Sequence, residues 1–122
     1  MIPTIKVCGL TREEDVRDCL AAGVYWLGIN LYSPSPRSVS LIRARELCAI
    51  IPVGQRVLVD VAPDINKLHS YVDAGFDRFQ LHFPMNLPQE TLSAWSDFLG
   101  FENLWLAPKL TPGEPFPDRL LD

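Results

Sequence analysis

Two hydrophobic periodicities alternate along this chain. Short apolar segments with a period of two are followed by longer segments whose apolar residues recur three and four positions apart, as in strands and amphipathic helices respectively. The strand-like segments are Ile5–Cys8, Trp26–Leu31, Val57–Val61, Phe79–His82 and Leu104–Leu106. Strict alternation of strand and helix predicts an α/β fold with a parallel sheet and helices packed outside it.

The helical segments carry recognisable end signals. The first begins at Thr11, where Thr11-x-x-Glu14 matches a capping box, and ends at Gly23. The next three run from Ser40 to just before Pro52, from Asp64 to Gly75, and from Pro88 to Gly100, and a fifth begins near Pro115 to Asp118. These boundaries predict four complete βα units and the start of another.

The two faces of the predicted strands differ in polarity. A flat, doubly wound sheet is buried on both sides and favours nearly continuous apolar strands. A closed barrel fits one apolar and one partly polar face better, because helices cover the first and the second lines the interior and its mouth. On this basis Val57, Val59 and Val61 pack against helices. The residues expected to face inward at the C-terminal strand ends are Cys8, Asn30, Asp60 and His82.

Composition and charge exclude several classes of function. The 122 residues, 48% of them hydrophobic, suit one globular domain spanning 1–122. A net charge of -4 with scattered Lys and Arg argues against a nucleic-acid partner. No apolar run reaches the length of a membrane span, and no leader precedes the first strand, so we expect a cytoplasmic protein without a membrane partner.

The cysteines fit a reduced protein without a metal site. Cys8, Cys19 and Cys48 are odd in number and lack CxxC or metal-ligand spacing. Cys19 and Cys48 lie in helical apolar patterns, so we expect both to be core thiols. Cys8 differs because it ends a strand, where a thiol can act as a nucleophile or a base.

Three motifs together resemble one enzyme family. They are Lys6 to Thr11 (KVCGLT), Ser33 to Ser40 (SPSPRSVS) and Gln80 to His82 (QLH). With these motifs the chain resembles phosphoribosylanthranilate isomerase, a (βα)8 TIM-barrel enzyme of tryptophan biosynthesis. The resemblance covers nearly the whole chain but only the N-terminal part of the family's barrel, about five βα units. It implies a partial barrel.

The resemblance also implies a reaction. The family converts N-(5-phosphoribosyl)anthranilate to 1-(2-carboxyphenylamino)-1-deoxyribulose 5-phosphate by an Amadori rearrangement, with no cofactor and a small-molecule substrate. It implies that Cys8 is the general base and that Arg37 binds the anthranilate carboxylate. The chemistry suits both, because a thiol needs only a modest pKa depression from ~8.5 to supply thiolate at neutral pH, and a guanidinium matches a carboxylate.

Four further residues either match the family pattern or depart from it. His82 is expected to face the interior at the substrate-binding side, hydrogen-bonded within the barrel. Asp122 ends a Leu-Leu-Asp sequence like the family's general acid, although it follows the fifth strand so soon that it fits the fifth helix better. Asp60 and Phe83 depart from the family, and Arg56 or Lys109 are candidate partners for the Asp60 carboxylate.

Two alternatives to a complete enzyme remain open. The chain carries no glycine-rich phosphate loop, so it fits a catalytically inactive half-barrel that assembles as a homodimer or with a separate C-terminal half. A five-stranded flavodoxin-like binding domain fits the length, but it leaves the sequence from Cys8 to Thr11 without a role.

Overall fold

A computed structural model describes residues 3–115 of the chain. Strands and helices alternate throughout this range, as predicted. In chain order they are β1 (Lys6–Val7), α1 (Glu13–Ala21), β2 (Trp26–Asn30), α2 (Leu41–Cys48), β3 (Arg56–Val61), α3 (Ile65–Ala74), β4 (Arg78–Pro84), α4 (Gln89–Leu99), a 3-10 turn (Phe101–Asn103) and β5 (Leu104–Lys109). The predicted fifth helix falls largely outside the described residues.

The five strands form one parallel sheet in the order β1-β2-β3-β4-β5. The sheet is strongly curled. Trp26 on β2 and Trp105 on β5 are three strand positions apart, roughly 14 Å in a flat sheet, yet their rings meet edge to face at 5.1 Å. Lys6 on β1 likewise donates a hydrogen bond to Gln80 on β4. The sheet is therefore a half-barrel, which confirms the predicted partial (βα)8 fold.

The convex face of this half-barrel carries the main hydrophobic core. Its strands contribute side chains that are at most 3% exposed, namely Leu27, Ile29, Leu58, Phe79 and Leu81. The helices cover them with Val16, Leu47, Leu68 and Trp95. Complete burial of one large apolar side chain contributes about 1.5–3 kcal/mol, so this layer supplies most of the stability that holds the strand ends in place.

The orientation of β3 differs from the prediction. Its register pairs Val59 with Asn30 and with Gln80, and Asp60 with Leu81. Paired residues of neighbouring strands point to the same side of a sheet, so Val59 faces the concave side and Asp60 faces the helices. The prediction that the valines contact helices and that Asp60 lines the interior is wrong. Because β3 is buried on both faces, the alternation of residue types along it does not indicate which face is inside.

Asp60 is accommodated on the helix side by specific hydrogen bonds. It is 2% exposed. The Tyr71 hydroxyl donates to one carboxylate oxygen at 2.5 Å, and the Val61 backbone N–H donates to the other at 2.7 Å. Burial and this contact raise the pKa of Tyr71. Neither expected partner pairs with Asp60: Arg56 instead donates to backbone carbonyls of the loops before β3 and β4, and Lys109 lies at the C-terminal end of β5.

The helix starts follow local side chains in two cases and not in a third. Ser40 accepts a hydrogen bond from the Arg43 N–H at the start of α2, and Asp64 accepts one from the Lys67 N–H at the start of α3. The capping box predicted at Thr11 does not form, since α1 begins at Glu13 without a side-chain cap. Within residues 3–115 the longest helix has 11 residues, and none could cross a membrane.

Candidate active site

The thiol of Cys8 lies against a glycine at the C-terminal end of β1. A Cβ placed on Gly28 of β2 would come within 3.1 Å of the Cys8 Sγ and 3.2 Å of its Cα. The Gly28 carbonyl accepts hydrogen bonds from the N–H groups of Gly9 and Leu10, both at 3.1 Å. These contacts turn the chain after Cys8, and the absence of a side chain at Gly28 leaves room for the partly exposed thiol.

Arg37 reaches the same turn from the loop after β2. A Cβ on Gly9 would lie 2.8–2.9 Å from three guanidinium atoms of Arg37. Gly9 also has a φ of +80°, which favours glycine. The loop is closed by the Val39 N–H, which donates to the Asn30 carbonyl at 2.9 Å, and by the Arg37 N–H, which donates to the Ser35 hydroxyl at 3.3 Å.

The guanidinium of Arg37 is exposed at this position. Among residues 3–115 it has neither an ion-pair nor a side-chain hydrogen-bond partner. The structure therefore places the uncompensated positive charge of Arg37 over Gly9, the residue that follows Cys8. Such a fork of donors can accept a planar carboxylate.

The other two thiols are poorly suited to proton transfer. Cys48 is 2% exposed, and burial raises its pKa to about 11. Burial also raises the pKa of Cys19, with help from the carboxylates of Asp15 and Asp18. Cys48 is the core thiol that was predicted, whereas Cys19 is only partly buried against the core.

His82 belongs to a row of polar side chains on the concave face. Lys6 donates to the Gln80 side-chain oxygen, and the Gln80 amide nitrogen lies 3.0 Å from His82 Nε2. Burial, and secondarily the Lys6 charge, lower the pKa of His82. His82 is thus hydrogen-bonded within the half-barrel, as expected.

A groove of about 590 Å³ opens at the C-terminal ends of β3, β4 and β5. Its lining includes Tyr32, Val61, His82, Ala107 and Lys109. The ends of parallel strands are where (βα)8 folds place their binding groups. The groove combines an apolar wall with an imidazole and an ammonium, a combination suited to an aromatic or anionic ligand.

The structure brings some of the predicted site residues together and separates others. Cys8, Arg37 and His82 all lie at the C-terminal end of the sheet, while Asp60 is turned away and Asp122 lies outside the described residues. Phe83 is buried with its ring 6.0 Å from Trp95, so its side chain packs in the core, while the residue also lines the groove at the strand ends.

Two features of the site were not predicted from the sequence. One is the contact of Arg37 with Gly9, and the other is the participation of Tyr32 and Lys109 in the groove. No sequence signal pairs these residues, because each contact joins loops or strands distant along the chain. Within residues 3–115, no cluster of three or more His, Cys, Asp or Glu side chains is placed to hold a metal ion.

Comparisons with known proteins agree on one family. No family model matches the chain. The N-(5'-phosphoribosyl)anthranilate isomerase of Streptococcus pneumoniae (strain Hungary19A-6) is 32% identical over 138 residues, covering 97% of this chain and 67% of that protein. The protein of the same name from Dechloromonas aromatica (strain RCB) is 48% identical over 67 residues, covering 52% of this chain and 32% of the relative.

Solved structures show the same likeness. Monomers generated from the dimeric phosphoribosylanthranilate isomerase of Thermotoga maritima superimpose with a TM-score of 0.77 at 26% identity, covering 92% of this chain and 56% of that one. The matches therefore span between about a third and two thirds of the length of these proteins.

Proposed function

The chain belongs to the phosphoribosylanthranilate isomerase family, and we propose that it carries the part of that active site that binds the anthranilate group and removes the sugar C2 proton. The observation that carries this proposal is the placement of the Arg37 guanidinium over Gly9, next to Cys8. An anthranilate carboxylate held by Arg37 brings the attached sugar carbons to the thiol.

The proposed chemistry has three stages, which are ring opening, proton abstraction at C2 and tautomerisation. A general acid protonates the furanose ring oxygen, and the ring opens to a protonated Schiff base between sugar C1 and the anthranilate nitrogen. The Cys8 thiolate then takes the proton from C2, the C2–H electron pair forms the C1–C2 double bond, and the C1–N π pair returns to nitrogen. The resulting enolamine tautomerises to the ketose: the C2 hydroxyl loses its proton and becomes the ketone carbonyl, and a proton is added at C1.

The general acid is the second part of the proposal. Asp122 is the candidate by its Leu-Leu-Asp context, and it lies outside the described residues. We propose His82 as a substrate-binding group because it lines the groove beside Lys109. In this scheme Asp122→Asn lowers turnover without weakening binding of the ketose product, since an acid needed for ring opening is not needed to hold an open-chain product.

The test is an isomerase assay on the full chain. Freshly generated phosphoribosylanthranilate is supplied, and the loss of its fluorescence is followed for the wild type, Cys8→Ala and the matched control Cys19→Ala. Removal of a general base costs about 10²- to 10⁴-fold in rate. Turnover by the wild type and the Cys19 variant, but not by the Cys8 variant, supports the proposal. Equal turnover by all three contradicts it.

A second candidate is an inactive half-barrel that serves as an assembly module. Among the described strands, β1 and β5 each pair on one side only, and unpaired sheet edges favour association. The oligomeric state, measured by sedimentation across a range of concentrations, separates the two. A stable association with no turnover at any concentration favours the module, and turnover that disappears in Cys8→Ala favours the enzyme.

The cellular setting is also a proposal. All three cysteines are unpaired, as in proteins of a reducing compartment. We place the protein in the cytoplasm, as an isomerase of tryptophan biosynthesis acting on a small phosphosugar.

A further inference from the structure

The polar row on the concave face begins with a group that can only donate. A lysine ammonium has three donors and no acceptor, so the Gln80 atom that Lys6 contacts must be the amide oxygen. The other amide atom of Gln80 is then the NH₂ group, which has donors only. The ammonium therefore dictates the orientation of the Gln80 amide.

That orientation determines the protonation of the next residue. The Gln80 NH₂ group faces His82 Nε2 at 3.0 Å. Because the amide nitrogen must donate, Nε2 must accept, and a nitrogen that accepts a hydrogen bond carries no proton. A neutral imidazole whose Nε2 is bare carries its proton on Nδ1. From these contacts we propose that Lys6 and Gln80 are positioning residues that hold His82 as the neutral Nδ1–H tautomer.

The surroundings of His82 support a donor role for the Nδ1 proton. Among residues 3–115, Nδ1 has no hydrogen-bond partner, and His82 lines the groove at the strand ends. The charged or titratable groups that face the groove beside it are Tyr32 and Lys109. The Lys6 ammonium acts on His82 from β1. The Asp60 carboxylate lies on the opposite side of the sheet. No carboxylate among these neighbours favours an imidazolium.

In the proposed function, which this last step rests on, His82 donates a hydrogen bond from Nδ1 to a substrate oxygen. Proton abstraction is then left to Cys8, because the one basic nitrogen of the ring is occupied by Gln80. His82 therefore binds the substrate and is not a second general base.

The first test is the ¹⁵N spectrum of the histidine rings, recorded on the full chain without substrate. The protein has two histidines, and the exposed His69 on α3 is an internal reference. We expect the ring nitrogens of His82 to resonate as a bare Nε2 and a protonated Nδ1. A protonated Nε2 in the neutral ring overturns the proposal.

Two variants test the cause of the tautomer. Gln80→Glu replaces the donor with an acceptor that still binds Lys6, so the proton moves to Nε2 and the pKa of His82 rises. Lys6→Met frees the Gln80 amide to rotate and removes the nearby charge, so the pKa of His82 rises towards its usual 6.5. Lys67→Met, a matched loss of charge at an exposed position of α3, leaves the His82 spectrum unchanged. An unchanged His82 in both test variants, with the amide spectrum showing an intact fold, overturns the proposal.

The second test adds the product 1-(2-carboxyphenylamino)-1-deoxyribulose 5-phosphate. Binding that shifts the His82 Nδ1 proton supports the donor role, and binding that leaves it unmoved overturns that role. Failure of the product to bind counts against the proposed function and leaves the tautomer assignment standing, so the two failures are distinguishable.

Discussion

Replacement of Gly9 by alanine separates the position of Arg37 from the stability of the fold. The new Cβ would lie 2.8–2.9 Å from the guanidinium, closer than carbon and nitrogen atoms approach. The guanidinium is the end of a flexible side chain, so it moves in preference to the backbone. We expect Gly9→Ala to leave the sheet intact and to displace Arg37 from the turn beside Cys8.

The magnitudes of the two effects differ. An alanine at a φ of +80° costs about 1–2 kcal/mol of strain, partly offset by about 0.4–1 kcal/mol from its more restricted unfolded chain. The net loss of stability is about 1 kcal/mol. A charged hydrogen bond to a carboxylate contributes about 1.5–3 kcal/mol, so affinity for an anthranilate carboxylate falls by about 10- to 150-fold.

The chain offers a matched control at Gly23. Its φ is +87°, and a Cβ there meets nothing within 4 Å. Gly23→Ala therefore carries the same backbone strain without touching a functional side chain. Urea unfolding measures the stability of each variant, and titration with the carboxyphenylamino-deoxyribulose product measures its affinity.

Stability and affinity together decide whether Gly9 allows Arg37 its position. Similar stability losses in both variants, with weaker binding only in Gly9→Ala, support the reasoning. In addition, Gly9→Ala combined with Arg37→Met should bind no worse than Arg37→Met alone, since both act on one contact. Full affinity in Gly9→Ala, or an equal loss in Gly23→Ala, refutes the proposed link between Gly9 and Arg37.

The remaining predictions concern Gly28, Tyr71 and Cys48. In Gly28→Ala the new methyl group crowds the Cys8 thiol at 3.1 Å, which costs about 1–3 kcal/mol and slows alkylation of Cys8 by iodoacetamide; an unchanged alkylation rate would contradict this. Tyr71→Phe removes the hydroxyl that donates to the buried Asp60 carboxylate and lowers the free energy of unfolding by about 1.5–3 kcal/mol, whereas a loss within measurement error would show that the pair contributes nothing net. Because burial raises the pKa of Cys48 from 9.0 to about 11, the unfolded chain releases this proton first, and stability falls as the pH rises above 9. Urea unfolding should show about 2 kcal/mol of this loss between pH 8 and pH 10.5, and a Cys48→Ala variant should lack it; an equal loss in that variant would assign it to other groups.

The order of strands and helices could be predicted from the sequence because it depends on local patterns. Period-two and period-3.6 segments located the strands and the four α-helices of residues 3–115. The stop at Gly75 is also local, since its φ of +106° suits glycine. The capping box at Thr11 does not form, and α1 begins at Glu13 without a side-chain cap.

The site residues also differ in how far local patterns predicted them. That Cys8 ends a strand, and that His82 points inward, followed from alternation along strands with one polar face. The same rule failed for Asp60, because β3 is buried on both sides and only its register with β2 and β4 decides which face points outward.

The sequence by itself determined the βα rhythm, the family likeness and the thiol at the first strand end, because these are encoded within short stretches of chain. Only the tertiary structure decided that Arg37 lies over Gly9, that Tyr71 holds Asp60, and that Lys6 orients Gln80 towards His82. The first depends on how the loop after β2 folds over the turn after β1, the second on the packing of α3 against β3, and the third on the sheet curl that brings β1 to β4. Each is set by the packing of the whole half-barrel and not by neighbours along the chain.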